Sequence, residues 1–187
     1  SSMSLFPVGR LDVDTEGLLV ITNDGPLTHR ITSPKSGCEK TYFARLRDPV
    51  DDAALAEYRA RFRSGITFHD GYTCLPAEIA RASEGPASPS NEVIVVIREG
   101  KYHQVKKMLK VVGNEVVYLK RIAMGRLSLD PSLEPGRYRE LTAAEIDLLR
   151  GEAPPGESPY QPPEEPPPPK PPPPPEQPPP PQQPHHR

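Results

Sequence analysis

The sequence is poor in cysteine and has no long apolar run. Its two cysteines, Cys38 and Cys74, lie far apart and form no CxxC pair, so neither a disulfide framework nor a cysteine-rich zinc site is expected. No segment has the length and hydropathy of a membrane span or of a secretory signal peptide. These absences predict a protein of the reducing cytoplasm that makes no contact with a membrane.

Neither metal ligands nor an excess of one charge stands out in the composition. His29, His69 and His103 are isolated, without a Cys, Asp or Glu at ligand spacing, so we expect no bound metal ion. The whole chain has a formal net charge of −2, but residues 1–150 hold 21 Lys and Arg against 20 Asp and Glu, a net charge of +1. Because a basic surface can exist locally within such totals, the charge balance excludes no class of partner.

Proline is concentrated in the last part of the chain. Of the 28 prolines, 19 lie between Pro154 and Pro184, in runs that cannot pair backbone donors or bury apolar surface. We therefore predict a folded domain over residues 1–150 and a disordered, proline-rich tail of polyproline II character over residues 151–187. The tail is interpreted as a solvated spacer, and docking of its proline motifs to a partner is the alternative.

Short apolar runs and amphipathic stretches follow one another along residues 1–150. Runs rich in Val, Ile, Tyr or Phe and bounded by Gly, Pro or Asn predict four strands: Gly17–Ile21, Lys40–Leu46, Glu92–Ile97 and Glu115–Leu119. Charge distribution, apolar periodicity and a capping box predict three helices: Asp51–Phe62, His103–Val112 and Thr142–Arg150. Because strands and helices do not alternate regularly, the pattern indicates an α+β domain with a mixed or antiparallel sheet and a few helices.

The stretch GRLDVDTEGLLVITNDG, residues 9–25, places the carboxylate of Asp12 just ahead of an apolar run. A carboxylate beside a buried strand is costly unless it is held ionised or takes part in chemistry. An aspartate in a glycine-flanked loop can also simply cap a turn. The apolar run is interpreted as a strand that the TNDG sequence closes with a hairpin-type turn.

Two later stretches contain further candidate residues. CEKTYFARL places Tyr42 on a predicted strand, on the face opposite Thr41 and Phe43, which is also where an ordinary core tyrosine would lie. In EGKYHQVKKMLKVVGNEV a glycine turn precedes a predicted helix. Four basic residues lie in its first two turns: His103, Lys106, Lys107 and Lys110. Lysines at a helix N-terminus suit phosphate, and a solvated basic face is the alternative.

In this order and at this spacing, three stretches resemble the RsuA-like ribosomal RNA pseudouridine synthases: GRLDVDTEGLLVITNDG, HRITSPKSGCEKTYFARL and EGKYHQVKKMLKVVGNEVVYLKRIAMG. The resemblance covers roughly Leu5 to Leu149 and implies the catalytic-domain fold of that family. Family members normally carry a further part of the catalytic domain, and often a small S4 RNA-binding domain, ahead of these motifs. Because only Ser1 to Ser4 precede Leu5, we expect a catalytic domain that is partial at its N-terminus and has no S4 domain.

The resemblance also implies roles for single residues. Asp12 matches the catalytic aspartate of the family, and Tyr42 matches the tyrosine that packs on the target base. Lys106 matches the basic residue that contacts the catalytic carboxylate. Arg10, in the same motif as Asp12, is placed to occupy the gap left by a flipped nucleotide. The remaining basic residues of the predicted helix are expected to bind RNA: His103, Lys107 and Lys110.

The implied reaction converts uridine to pseudouridine without a cofactor. A carboxylate can hold one fragment covalently while the base reorients, and Lys106 beside Asp12 would favour the ionised carboxylate. The target uridine must be flipped out and held by stacking, for which Tyr42 supplies a ring. Whether Asp12 attacks the ribose C1′ or uracil C6, or first assists glycal formation, stays open. Tyr42 is one candidate for the base that removes the C5 proton.

The implied partner is ribosomal RNA or a ribosomal subunit precursor, and we expect a monomer. The segment YHQVKKM resembles the small-subunit members of the family more than the large-subunit members, which usually have a sequence like RNREVRR at this place. The resemblance therefore favours 16S-type RNA as the substrate. The rival hypothesis is a non-catalytic RNA-binding or ribosome-assembly module that kept the fold and lost turnover. The presence of Asp12, Tyr42 and Lys106 argues against that rival.

Overall fold

The computed structural model describes residues 4–83 and 89–151, so all but the first residue of the predicted proline-rich tail lies outside the described residues. The strands are β1 Phe6–Pro7, β2 Thr15–Gly17, β3 Ile21–Thr22, β4 Lys40–Val50, β5 Glu78–Arg81, β6 Ser90–Ile97, β7 Val116–Met124 and β8 Leu127–Ser128. The helices are α1 Gly25–Thr32, α2 Asp52–Ser64, α3 Gln104–Val111 and α4 Ala143–Arg150, with a 3-10 turn at Pro34–Ser36. Within these described residues, every helix is too short or too polar to cross a membrane.

A mixed sheet forms the centre of the domain. Its strands follow one another in the order β2, β7, β4, β6, β5, and β8 also pairs with β7. Strands β2 and β7 run parallel, whereas the other neighbours in this sheet are antiparallel. Strands β1 and β3 form a separate antiparallel pair. The architecture is therefore the α+β fold with a mixed sheet that the sequence predicts.

Two hydrophobic cores hold these layers together. The larger core packs α2 and α3 against the sheet, through residues such as Leu55, Phe62, Met108, Leu109 and Val95. The smaller core joins α1 and α4 to the end of β7 and to β8, through Ile31, Leu149, Met124 and Leu127. Burial of apolar area on this scale is the main term that stabilises a domain of this size.

The three predicted helices are present, with ends that differ by at most two residues from the sequence prediction. Helix α2 begins after Asp51, whose side chain accepts a hydrogen bond from the Ala54 amide at 2.8 Å. It ends at Gly65, where a positive φ of 89° suits a residue without a side chain. The acidic start and basic end that predict this helix agree with its dipole.

The predicted strand Gly17–Ile21 is wrong in its middle part. Strand β2 ends at Gly17, which has a φ of 108°, and the next three residues belong to no strand before β3 begins. The predicted hairpin turn is also wrong, because Asp24 caps helix α1 by accepting from the Leu27 amide at 2.9 Å. A helix with Gly and Pro in its first two positions lacks the long periodic signal on which the prediction depends.

The capping box of α4 leads to a pH prediction. The side chains of Thr142 and Glu145 bond each other's backbone amides, and the hydrogen bond from Arg139 is the main reason that the pKa of Glu145 falls from 4.5 to about 2. A carboxyl with a lowered folded-state pKa stabilises the fold above its ordinary pKa, and that contribution is lost as the pH falls through the folded-state value.

We therefore expect Glu145→Gln to lower the melting temperature at pH 7, with a gap to the unsubstituted chain that closes as the pH falls from 4.5 towards 2. Thermal melts followed by circular dichroism across this range would measure the gap. Glu140→Gln, an exposed change in the same segment, is the matched control and should show a small, constant difference. A gap for Glu145→Gln that is independent of pH would contradict the prediction.

Candidate active site

Asp12 lies in the loop between β1 and β2, directly before the edge of the main sheet. The carbonyl oxygen of Asp12 accepts a hydrogen bond from the Thr15 amide at 2.9 Å, which closes a tight turn ahead of β2. The Asp12 side chain is 25% exposed. The carboxylate is thus held by an ordered backbone yet remains accessible to a substrate from solvent.

Helix α3 and its N-cap bring two basic side chains to this loop. His103 Nε2 lies 3.8 Å from Asp12 Oδ1, and Lys106 Nζ lies 3.5 Å from Asp12 Oδ2. Asp12 and Lys106 are 94 positions apart in the chain, so only the fold could bring them together. The structure therefore places three of the predicted site residues within one small cluster.

Lys106 is shared between two carboxylates. Its Nζ also hydrogen-bonds Asp14 Oδ1, at a shorter distance than Asp12. This hydrogen bond is the main reason that the pKa of Asp14 lies below its usual value, and the charges of Lys106 and His103 act in the same direction. Asp14 is absent from the predicted site. The alternation Asp-Val-Asp, which puts both carboxylates in one short loop, is the signal that identifies it.

The start of α3 has an unusual backbone. His103 is its N-cap and has φ 52° and ψ 34°, the left-handed region that histidine tolerates better than most residues. The His103 ring stacks on Tyr102 with a centroid distance of 3.7 Å and an interplanar angle of 19°. This backbone turns the imidazole towards the Asp12 loop.

A buried carboxylate, Glu99, supports the turn that leads into α3. Glu99 is 1% exposed and accepts hydrogen bonds from the Leu75 amide at 2.8 Å and Gln104 Nε2 at 2.9 Å. It also accepts from the Tyr72 hydroxyl at 2.5 Å, which is the main reason that the pKa of Tyr72 rises to about 12. Gln104 Oε1 accepts in turn from the Lys101 amide. This network fixes the helix start, and sequence patterns do not reveal it.

Tyr42 is the third residue of β4, the strand that lies between β6 and β7. Its register partner on β7 is Arg121, and its half-buried side chain packs against the larger core. Phe43 instead stacks edge-on with Tyr118 at 6.0 Å, as the predicted alternation of faces requires. No hydrogen bond or ion pair in the described part of the chain joins Tyr42 to Asp12, so its contact with a base stays a prediction.

The other predicted RNA-binding residues surround this cluster. Arg10 is exposed two residues before Asp12, and Lys110 is exposed near the end of α3. Lys107 Nζ lies 5.3 Å from the ring centroid of Phe68 and 5.4 Å from that of Tyr102. Both distances are within the range of a cation–π interaction. Successive residues of α3 therefore differ in surroundings, with only Lys106 directed at the carboxylates.

The cluster places a lysine ammonium group and an imidazole beside the Asp12 carboxylate. A cation within 4 Å of a carboxylate favours its ionised form, which is the form that can attack carbon. In residues 4–83 and 89–151 no group of three or more His, Cys, Asp or Glu side chains is arranged to hold a metal ion.

Comparison with known proteins gives a consistent result. The sequence model of the RNA pseudouridylate synthase family matches residues 2–110. An uncharacterized RNA pseudouridine synthase of Bacillus subtilis (strain 168) is 49% identical over 144 residues, which are 77% of this chain and 58% of that protein. The ribosomal small subunit pseudouridine synthase A of Vibrio cholerae is 48% identical over 139 residues, which are 74% of this chain and 56% of that protein.

A solved structure is also similar in fold. The crystal structure of a pseudouridylate synthase superposes with a TM-score of 0.70 and 44% sequence identity, covering 78% of this chain and 59% of that one. The chain described here thus spans less than two thirds of the length of these relatives.

Proposed function

The chain belongs to the RNA pseudouridylate synthase family, and from this membership we propose that it isomerises a uridine in RNA to pseudouridine with Asp12 as the nucleophile. The observation that carries the proposal is the Asp12 carboxylate, accessible in an ordered loop with His103 and Lys106 within 4 Å. A lone turn-capping aspartate would not require a lysine and a histidine from a distant part of the chain. The same arrangement is what a carboxylate nucleophile needs in order to stay ionised.

The proposed reaction breaks one glycosidic bond and makes another. The bond from ribose C1′ to uracil N1 breaks, the base rotates, a bond from C1′ to C5 forms, and the C5 proton leaves while N1 gains one. Asp12 holds one fragment covalently while the base turns, by attack at ribose C1′ or at uracil C6, or it assists formation of a glycal. Tyr42 is the proposed stacking partner of the flipped uracil and a candidate acceptor of the C5 proton.

The remaining predicted residues would hold the RNA. Arg10 would fill the space that the flipped nucleotide leaves, because it is exposed beside the Asp12 loop. His103, Lys107 and Lys110 would contact phosphates along α3, where each contact releases counterions and makes binding dependent on salt. All four lie on the elements that carry Asp12 and Lys106.

The proposed substrate is small-subunit ribosomal RNA, alone or in a precursor of that subunit. Support comes from the relative in Vibrio cholerae, which is named as a ribosomal small subunit pseudouridine synthase, and from the YHQVKKM segment. The proposed setting is the cytoplasm, with the protein acting as a monomer.

Tritium release tests the proposal directly. RNA labelled with tritium at uridine C5 loses its label to water when pseudouridine forms, so we expect release that approaches one tritium per target uridine on small-subunit RNA and much less on large-subunit RNA. Filter binding of the same RNA measures affinity in parallel. Binding without any release would contradict the proposal and favour the non-catalytic RNA-binding module.

A further inference from the structure

A buried arginine lies directly behind the Asp12 loop. Arg121, on β7, is 2% exposed. Its Nε donates to the Leu18 carbonyl oxygen at 2.8 Å, and its Nη1 donates to the Arg10 carbonyl oxygen at 3.5 Å. These two carbonyl groups stand on opposite sides of Asp12 in the sequence, so a single guanidinium joins both ends of the segment that carries the carboxylate.

The backbone of Arg121 holds the same segment. Gly17 is its register partner in the parallel β2–β7 pair, and the Leu18 amide donates to the Arg121 carbonyl oxygen at 2.8 Å. A Cβ atom added at Gly17 would lie 2.2 Å from that oxygen, which no side chain could tolerate. The close approach explains the glycine and shows how tightly this segment is packed on Arg121.

The charge of Arg121 has no carboxylate partner within hydrogen-bond distance in the described residues. Its Nη2 atom is buried and also lacks a hydrogen-bond partner among them. A second buried cation is nearby, because the charge of Arg121 contributes to lowering the pKa of Lys40, after the larger effect of burial. Lys40 Nζ donates to the carbonyl oxygens of Ile31 and Cys38.

Two buried cations bonded only to carbonyl oxygens are costly for a fold. A purely structural position of this kind is often filled as well, or better, by apolar side chains. The guanidinium offers what an apolar residue or a lysine lacks, namely separate donor nitrogens in a rigid planar fork, each of which can hold its own carbonyl group. An arginine at this buried position thus points to a requirement for loop geometry.

We propose that Arg121 is a positioning residue, whose guanidinium ties the carbonyl oxygens on both sides of Asp12 and so fixes the direction of the Asp12 carboxylate. The inference rests on the proposed function, since it assumes that Asp12 reacts. Misplacing a reacting group by about 1 Å can cost roughly 100-fold in rate. Arg121 does not touch the substrate in this proposal and acts only through the loop.

The test compares Arg121→Lys with a matched control, Arg45→Lys. Arg45 lies on the neighbouring strand β4 and forms an exposed ion pair with Glu92 at 3.1 Å. Lysine keeps the charge at both positions but has a single donor nitrogen, whereas Arg121 uses two separate nitrogens for the Leu18 and Arg10 carbonyl oxygens. For Arg121→Lys we expect kcat for tritium release to fall by roughly 10- to 100-fold while KM and RNA affinity change by less than about threefold. Arg45→Lys should leave kcat unchanged.

Three kinetic results would overturn the proposal. The first is an unchanged kcat in Arg121→Lys, and the second is a loss confined to KM. A fall in kcat that merely matches the fraction of unfolded protein, measured by thermal melting in the same buffer, would also count against it, because it would show a structural role alone.

Amide hydrogen exchange provides a readout that needs no catalysis. In the unsubstituted chain the amides of Thr15 and Leu18 should exchange as slowly as those of β7. In Arg121→Lys both should exchange at least about 10-fold faster, with no such change in Arg45→Lys. Fast exchange in the unsubstituted chain would overturn the positioning role of Arg121 even if every variant failed to fold. The chain could also release no tritium and yet show slow exchange that Arg121→Lys accelerates. That result would uphold the positioning of the Asp12 loop by Arg121 and would refute only the proposed function.

Discussion

Asp12→Asn is expected to abolish tritium release, leaving less than about 1% of the original turnover, while RNA affinity stays within about threefold. The amide keeps the shape of the side chain but cannot act as the anionic nucleophile. The local structure should survive the change, because Lys106 keeps its hydrogen bond to Asp14 and the Thr15 amide still has the backbone oxygen of residue 12 as its partner. Single-turnover release and filter binding measure the two quantities.

Asp14→Asn is the informative comparison for Asp12→Asn. Asp14 is the closer partner of Lys106, but its side chain is 73% exposed, against 25% for Asp12. We expect this variant to retain at least about a tenth of the turnover, because the nucleophile is still present. Residual turnover above about 1% in Asp12→Asn, or equal losses in the two variants, would refute the assignment of Asp12 as nucleophile.

Lys106→Met is expected to lower turnover by roughly 100-fold or more and to move the acid limb of the pH profile upward. Without the lysine, Asp12 and Asp14 lose the cation that they share. The hydrogen bond from Lys106 is the main cause of the lowered pKa of Asp14, so its removal raises that pKa. Asp14 then takes up a proton at higher pH, and the site with Asp14 ionised forms only above the pH at which it forms now. The pH dependence of single-turnover rates measures the shift.

Lys110→Met is the control on the same helix. Lys110 is exposed and forms no ion pair with either carboxylate, so its loss should weaken RNA binding and reduce the salt dependence by about one unit of slope. The maximal rate and the pH profile should not change. If both variants lost only affinity, the lysines would form a backbone-binding face, and the non-catalytic RNA-binding module would be favoured.

Much of the fold was predictable because its signals are local. The capping box at Thr142 and Glu145 involves residues three positions apart, and the apolar face of α3 repeats within one helix. The central strands β4, β6 and β7 are recognisable from their β-branched and aromatic runs. Such signals depend only on neighbouring residues, so they predict a helix or strand correctly whatever its position in the fold.

The errors lie where local signals conflict with packing. The run after Gly17 reads as one strand, but the close approach of Gly17 to Arg121 ends β2, and the chain crosses to the smaller strand pair at Ile21. The turn-like residues before Gly25 form a helix start, because Asp24 caps α1. Tertiary contacts decide such cases, since propensities differ by less than the free energy of packing.

The sequence by itself determined the family, the α+β class and the identity of the candidate nucleophile, because motifs and periodicities are written in consecutive residues. Only the tertiary structure decided the surroundings of that carboxylate. Asp14 as the second partner of Lys106, Glu99 as the anchor of α3 and Arg121 behind the loop all depend on contacts between distant parts of the chain. The order β2, β7, β4 in the sheet brings these parts together, and strand order and register are set by packing of the whole domain, which no single segment encodes.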